Sequence, residues 1–406
     1  MLRNTPHRDG RRSRPRLVRA AAIGLALSAL LVALILFLRP APEGGRPVVR
    51  PQAALADRPA ATALAAAKAS PADPPSPVRA ALVHALPGLA RDRARLAALE
   101  AGEVAPVAEG LAARDGPVAA GALFDLAALC TALAGAGATA LDGAEQRATQ
   151  IAGGAGAAAR AVIDADIVVE RAWRARFTRG CAEAALDDGK IRALLEAAGR
   201  AGDGASLERL ARQDAAPLAH LQAAAVLGDP RAQYRMALWL QAGQPLGARA
   251  WLESAARGDA DAEAYWGVCL LAGCFGAADP AAARLALESA ARRGALYALG
   301  ALSSAEGAGG PRRWAHADAP FVALMPRGPE ALGLDAPASY AWSALAAGLA
   351  RDGCFGFAFE AAAEALEGQV RDERALRPGE LAAAHAAAAD LEAEAGGAAR
   401  QAMGCG

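Results

Sequence analysis

The sequence predicts an all-α protein, and three observations carry that expectation. Hydrophobic residues make up 54% of the chain but aromatics only 4%, with alanine supplying much of the difference. Alanine, leucine, arginine and glutamate favour helix, while the strand formers valine, isoleucine, threonine and tyrosine are sparse. From about Val78 onward, apolar residues recur at spacings of three and four between Gly, Asp and Pro punctuation, the period of one buried helical face. Finally, the middle of the chain repeats itself: Leu252-Glu253-Ser254-Ala255-Ala256-Arg257-Gly258 returns thirty-five residues later as Leu287-Glu288-Ser289-Ala290-Ala291-Arg292-Arg293-Gly294. A period in the thirties is the mark of antiparallel helix pairs stacked into a solenoid.

At 406 residues the chain is long enough to bury a sizeable core. Its formal net charge of +0 is unevenly spread. Residues 1–19 carry seven arginines against Asp9, which leaves 36 basic against 42 acidic groups in the remainder. A mildly acidic body lacks the basic face that nucleic acid requires, so no nucleic-acid partner is expected. Lysine occurs only at Lys68 and Lys190, which reads as the bias of a GC-rich bacterial genome.

The chain is expected to be anchored in a membrane. Ala20 to Leu38 is a run of nineteen uncharged residues between Arg19 and Arg39, about the length that crosses a ~30 Å hydrocarbon core as a helix. A cleavable signal peptide is the competing reading, but the run is longer than the roughly 7–15 residues usual there and ends in Phe37-Leu38-Arg39-Pro40 without a small-residue cleavage site. With arginines concentrated before the run, residues 1–19 form a cytoplasmic tail and the body lies outside the inner membrane, in the periplasm if the cell has two membranes. Residues 39–77, interrupted by nine prolines, read as a disordered Pro/Ala-rich linker.

The body divides on paper into two regions. In residues 78–215, helices are expected near 79–86, 88–100, 117–133, 142–165, 188–200 and 205–213. Gly153-Gly154-Ala155-Gly156 reads as a loop or helix break. Residues 216–406 carry the repeat. There Gly228, Gly258 and Gly294 suit left-handed helix ends. Asp229, Asp259 and Asp279 suit N-caps, with Pro230 and Pro280 in the first turn that follows.

These residues resemble the Sel-one-like repeat, a relative of the tetratricopeptide repeat. The resemblance rests on Gly228, Ala232, Met236 and Ala237 followed by Ala248, Trp251, Ala255, Ala256 and Gly258, on a second unit through Ala262, Trp266 and Gly267 to Gly294, and on a terminal fragment around Trp342. Residues 304–336 break the pattern, and 78–215 match it poorly, as degenerate repeats or as a separate cap. The resemblance implies a scaffold that binds a protein or peptide partner, not an enzyme. Gln233, Arg235, Glu263 and Tyr265, at expected exposed first-helix positions, are its candidate contacts.

Catalytic and cofactor signatures are missing. No H-E-x-x-H, G-x-S-x-G, phosphate-binding loop or dinucleotide fingerprint occurs. His84 and His220 read as packing or surface residues, and Asp164 with Asp166 as a pair in need of a pocket. No cofactor or metal is expected. The alternative to the scaffold is an envelope enzyme with an unrecognised helical catalytic domain in 78–215. Six cysteines outside the cytoplasm invite disulfides. Cys269 and Cys274 are close enough to close a helix-pair turn, and Cys130–Cys181 with Cys354–Cys405 are the simplest remaining pairs.

Overall fold

Most of the helices form where the caps and the apolar period put them. In a computed structural model, residues 76–405 are described apart from 115, 135, 185, 215, 216, 242 and 304–328. The expected basic tail, the 20–38 membrane segment and nearly all of the linker lie outside these residues. Among the described residues no strand occurs, and no single helix is long and apolar enough to cross a membrane.

Ser76 caps α1 (Pro77–Ala85), so the helical body starts just ahead of the expected Val78. It is followed by α2 (Arg93–Ala101), α3 (Val104–Ala112), α4 (Pro117–Leu133), α5 (Ala136–Ala155), α6 (Ala157–Glu183), α7 (Asp188–Arg200) and α8 (Gly204–Gln213). The expected 142–165 helix is two helices, because Gly156 adopts φ 111° and interrupts the ladder. Helix α3 was not expected at all, since its run Val104-Ala105-Pro106-Val107 carries a proline, which the first turn of a helix tolerates.

The repeat region supplies α9 (Leu218–Val226), α10 (Pro230–Leu240), α11 (Pro245–Ala256), α12 (Ala260–Ala272), α13 (Pro280–Arg292) and α14 (Leu296–Leu302). The caps are as expected. Asp229, Asp259 and Asp279 accept from the backbone N–H of Ala232, Ala262 and Ala282 at 2.8, 2.8 and 3.0 Å, each satisfying one orphan donor of a first turn. Ala232, Met236, Ala255, Ala262 and Trp342 are buried; Trp251 and Trp266 are half-buried. Gly228 and Gly294 are left-handed, at φ 93° and 84°; the same expectation for Gly258 is corrected, since α11 ends through Arg257 in right-handed geometry and Gly258 has no positive φ. Gly267 lets α12 and α13 approach so closely that a Cβ there would stand 2.9 Å from Leu287 Cγ.

From α7 to α15 (Ala336–Arg351) each helix packs on the next. The remaining helices then turn back. Helix α16 (Phe359–Ala375) packs on α5 and α6, α17 (Pro378–Leu391) packs on α15, and α18 (Gly397–Met403) meets α13 and α1. Residues 72–406 form one unit. Ala148, Ile163 and Ile167 pack with the repeat core.

The junction is the turn 353–359. Phe357 reaches into the amino-terminal core and meets Trp173 at 5.1 Å between ring centroids. Trp173 is fully buried, lies tilted against Phe177 at 4.6 Å between centroids and donates its indole N–H to the Leu99 carbonyl at 3.0 Å. Gly356, at φ 56°, lies against α1 so tightly that a Cβ would be 2.9 Å from Ala81 N. Two disulfides brace the ends: Cys130–Cys181 joins α4 to α6, and Cys354–Cys405 joins the junction turn to the chain end. Because Trp173 fills the centre of its core and carries a buried polar atom, we expect Trp173→Ala to cost ~3–5 kcal/mol in denaturant unfolding. Trp239→Ala, at a position 59% exposed, should stay within about 0.5 kcal/mol.

Candidate functional site

A cleft of about 590 Å³ opens beside the junction turn, a size suited to a small ligand or a short peptide segment. Helix α1 supplies one wall through Val83 and His84. The opposite rim is made by the starts of successive repeat helices: Arg231 of α10, then Asp259 and Asp261 at the head of α12, then Leu296 of α14. Phe355, Phe357 and Phe359 of the junction, with Met403 of α18, supply apolar surface. The position follows from the repeat itself. The starts of α10, α12 and α14, which follow Gly228, Gly258 and Gly294, come together here, and α1 lies across them.

The rim is charged in both signs and already internally paired. Arg231 Nε stands 3.7 Å from Asp259 Oδ2. Arg293 donates to Glu263 Oε2 at 2.7 Å and to the Ala256 carbonyl at 3.1 Å. Across the cleft, Arg147 of α5 donates to Glu360 of α16 at 2.8 Å, and that carboxylate raises the guanidinium pKa. Apolar walls with a ring of arginines and carboxylates suit a ligand that buries an apolar body and places polar groups at its ends.

The four candidate contacts read from the sequence do not line this cleft. Gln233 is buried and donates to the Ala225 carbonyl at 3.1 Å. Tyr265 is also buried, its hydroxyl bonded to Gln241, and burial raises its pKa. Both expectations of exposure are therefore corrected: the α10 and α12 faces that carry them pack against neighbouring helices. Arg235 bridges to Glu208 at 3.0 Å, and Glu263 is held by Arg293. Missed by the sequence reading were the first-turn residues Arg231 and Asp261 and the run Phe355-Gly356-Phe357-Ala358-Phe359. That run holds three of the chain's eight phenylalanines, which in so aromatic-poor a protein was the available signal. His84, read as packing or surface, stands in the cleft wall.

The expected cysteine pairs are met in part. Cys130–Cys181 and Cys354–Cys405 are joined, with Cα separations of 5.7 and 5.2 Å. Cys269 and Cys274 are not, and both are free thiols. Among the described residues no three His, Cys, Asp or Glu side chains gather as a metal site. Asp164 accepts from Thr149 and Arg160 on the α5–α6 surface, while burial raises Asp166 to about 6.

A second concentration of charge lies along the α5–α6 seam. Glu145 and Glu170 are fully buried there. Arg171 bridges to Glu145 at 2.5 Å, and Arg174 reaches Asp142 at 2.8 Å, Glu170 at 3.3 Å and Glu145 at 3.4 Å. Neither Glu170 oxygen receives a well-aligned hydrogen bond. Burial pushes the Glu170 carboxyl up to about 7, with Arg174 opposing and Glu145 adding to the rise. Comparison of the chain with protein-family models, curated proteins and solved structures finds no match.

The Glu170 shift has a definite sign. A carboxyl whose folded pKa is raised contributes stability that is whole below its unfolded value near 4.5 and is lost as pH climbs through 7. We expect unfolding free energy to fall by on the order of 1–3 kcal/mol between pH 5 and pH 8 from this group. In Glu170→Gln, whose neutral amide does not titrate, the fall should flatten; an unchanged pH slope would show that Glu170 is ionised throughout.

Proposed function

We propose that this chain is a membrane-tethered helical-repeat scaffold that binds a protein or peptide partner in the bacterial cell envelope, with the cleft beside the junction turn as its binding site. The cleft carries the reading: apolar walls from Phe355, Phe357 and Leu296 meet a rim of Arg231, Asp259, Asp261 and Glu360. That pattern matches the anatomy of interfaces, where an apolar centre is ringed by polar groups. The anchor rests on residues 20–38 and the arginine bias before them. The Sel-one-like assignment rests on the repeated Gly-Asp boundaries and the alanine-rich crossings between them. An envelope enzyme is the rival, favoured by the placement of His84 in the cleft wall.

The full-length protein, crosslinked in cells and purified, tests the reading when compared with two point variants. Leu296→Trp narrows the cleft, and Arg231→Glu reverses one rim charge. We expect each to reduce capture of the same envelope partner at least about tenfold, equivalent to ~1.4 kcal/mol, with unchanged thermal unfolding. Undiminished capture by both cleft variants would move the site elsewhere, and loss of a chemical activity in His84→Gln would favour the enzyme.

A further inference from the structure

The turn between α12 and α13 carries chemistry that partner binding does not use. Gly273 takes φ 70° directly after α12, and the Cys274 N–H donates to the Cys269 carbonyl at 3.0 Å. This six-to-one hydrogen bond closes the helix in a Schellman motif, which brings together the side chains at its third-from-last and second-beyond-cap positions. Two apolar side chains usually meet there. Here both positions are cysteines. They differ in access: Cys269 is buried in the repeat core, and Cys274 is half-buried. The next residue, Phe275, stacks on Trp266 at 6.0 Å and fixes the turn.

We infer that Cys274 and Cys269 form an exchangeable dithiol, with Cys274 as the attacking sulfur and Cys269 as the resolving one, that reacts with small disulfides such as glutathione disulfide. The neighbouring Cys269 holds the Cys274 pKa below the ordinary thiol value, while Cys274 and burial push Cys269 up. The more exposed sulfur is thus also the readier thiolate, the combination that selects a reactive cysteine.

The chemistry balances in two exchanges. The Cys274 thiolate attacks one sulfur of glutathione disulfide, that bond breaks, and one glutathione leaves as its thiolate. Capped Cys274 no longer carries the negative charge that opposed ionisation of Cys269. Cys269 then gives its proton to water or to the departed thiolate and attacks the Cys274 sulfur, and the second glutathione leaves. Two protein thiols have become one disulfide, and one glutathione disulfide has become two thiols. The new bond ties the last turn of α12 to the turn that leads to the Asp279 cap.

The full-length protein in detergent, with its other two disulfides intact, is incubated with glutathione disulfide and followed by intact mass and peptide mapping. The wild type is expected to lose two hydrogens and yield a crosslinked Cys269–Cys274 peptide. Cys269→Ser and Cys269→Ala should each stop at a single glutathione on Cys274. Cys274→Ser should acquire glutathione on Cys269 at least about tenfold more slowly. An unreacted wild-type dithiol, or equal labelling rates in the two single variants, overturns the proposal. If the pair is isolated already joined, it must be reduced before Cys130–Cys181 and Cys354–Cys405; reduction after them marks a structural bond and also overturns it.

Discussion

The contact of Phe357 with Trp173 holds the two halves of this protein to a common centre. Trp173 is a large side chain fully buried in the amino-terminal core, and its N–H is spent on the Leu99 carbonyl, so its orientation is settled before Phe357 arrives. Phe357 completes that core from outside, and Phe359, two residues on, belongs to the other one. Phe357 also packs against that second core, so the turn sits where the two meet. The glycines at 353 and 356 permit this by letting the turn lie directly on Pro77 and Ala81. The cleft is what the turn does not fill.

An interior built largely from alanine sets the terms elsewhere. Alanine buries little area per residue, so each helix contributes modestly to the hydrophobic term. The compensation is close approach, as at Gly267, together with many arginine–carboxylate pairs between elements. Arg209 with the buried Asp125 joins α8 to α4 at 2.7 Å, and Arg400 joins the carboxyl-terminal helix to Asp352 at 2.7 Å. Such pairs fix which helices meet more than they add net stability, because desolvation offsets much of their attraction.

What was legible in the sequence was local. Asp229, Asp259 and Asp279 announce their helices because a cap is a three-residue event, and the repeated Gly-Asp boundaries mark the helix pairs. Two cysteine pairs were readable once the six were divided by simplest loops. The Cys269–Cys274 pair was not, since a five-residue spacing fits a closed helix end with free thiols as well as a bonded one. Gln233 and Tyr265 were misplaced for a related reason: on an alanine-rich helix the buried and outward faces differ little in hydropathy, so a polar residue looks exposed. The cleft and the return of α16 and α18 depend on contacts between segments far apart in the chain. No periodicity encodes those contacts, although the phenylalanine run at 355–359 marked the place.

That return has a consequence for how the protein is made. Helices α1 to α6 leave the ribosome long before the junction turn and α18, which complete their packing. Until then the surfaces that await Phe357 and Gly404 remain uncovered, around Trp173 and Val83. A chain whose first core is completed by Phe357, far along the sequence, cannot fold in the order of its synthesis, unlike an array that grows by adding one pair of helices to the next. Its earliest helices must wait, and the interval in which they wait is when this protein is most open to aggregation or to a chaperone.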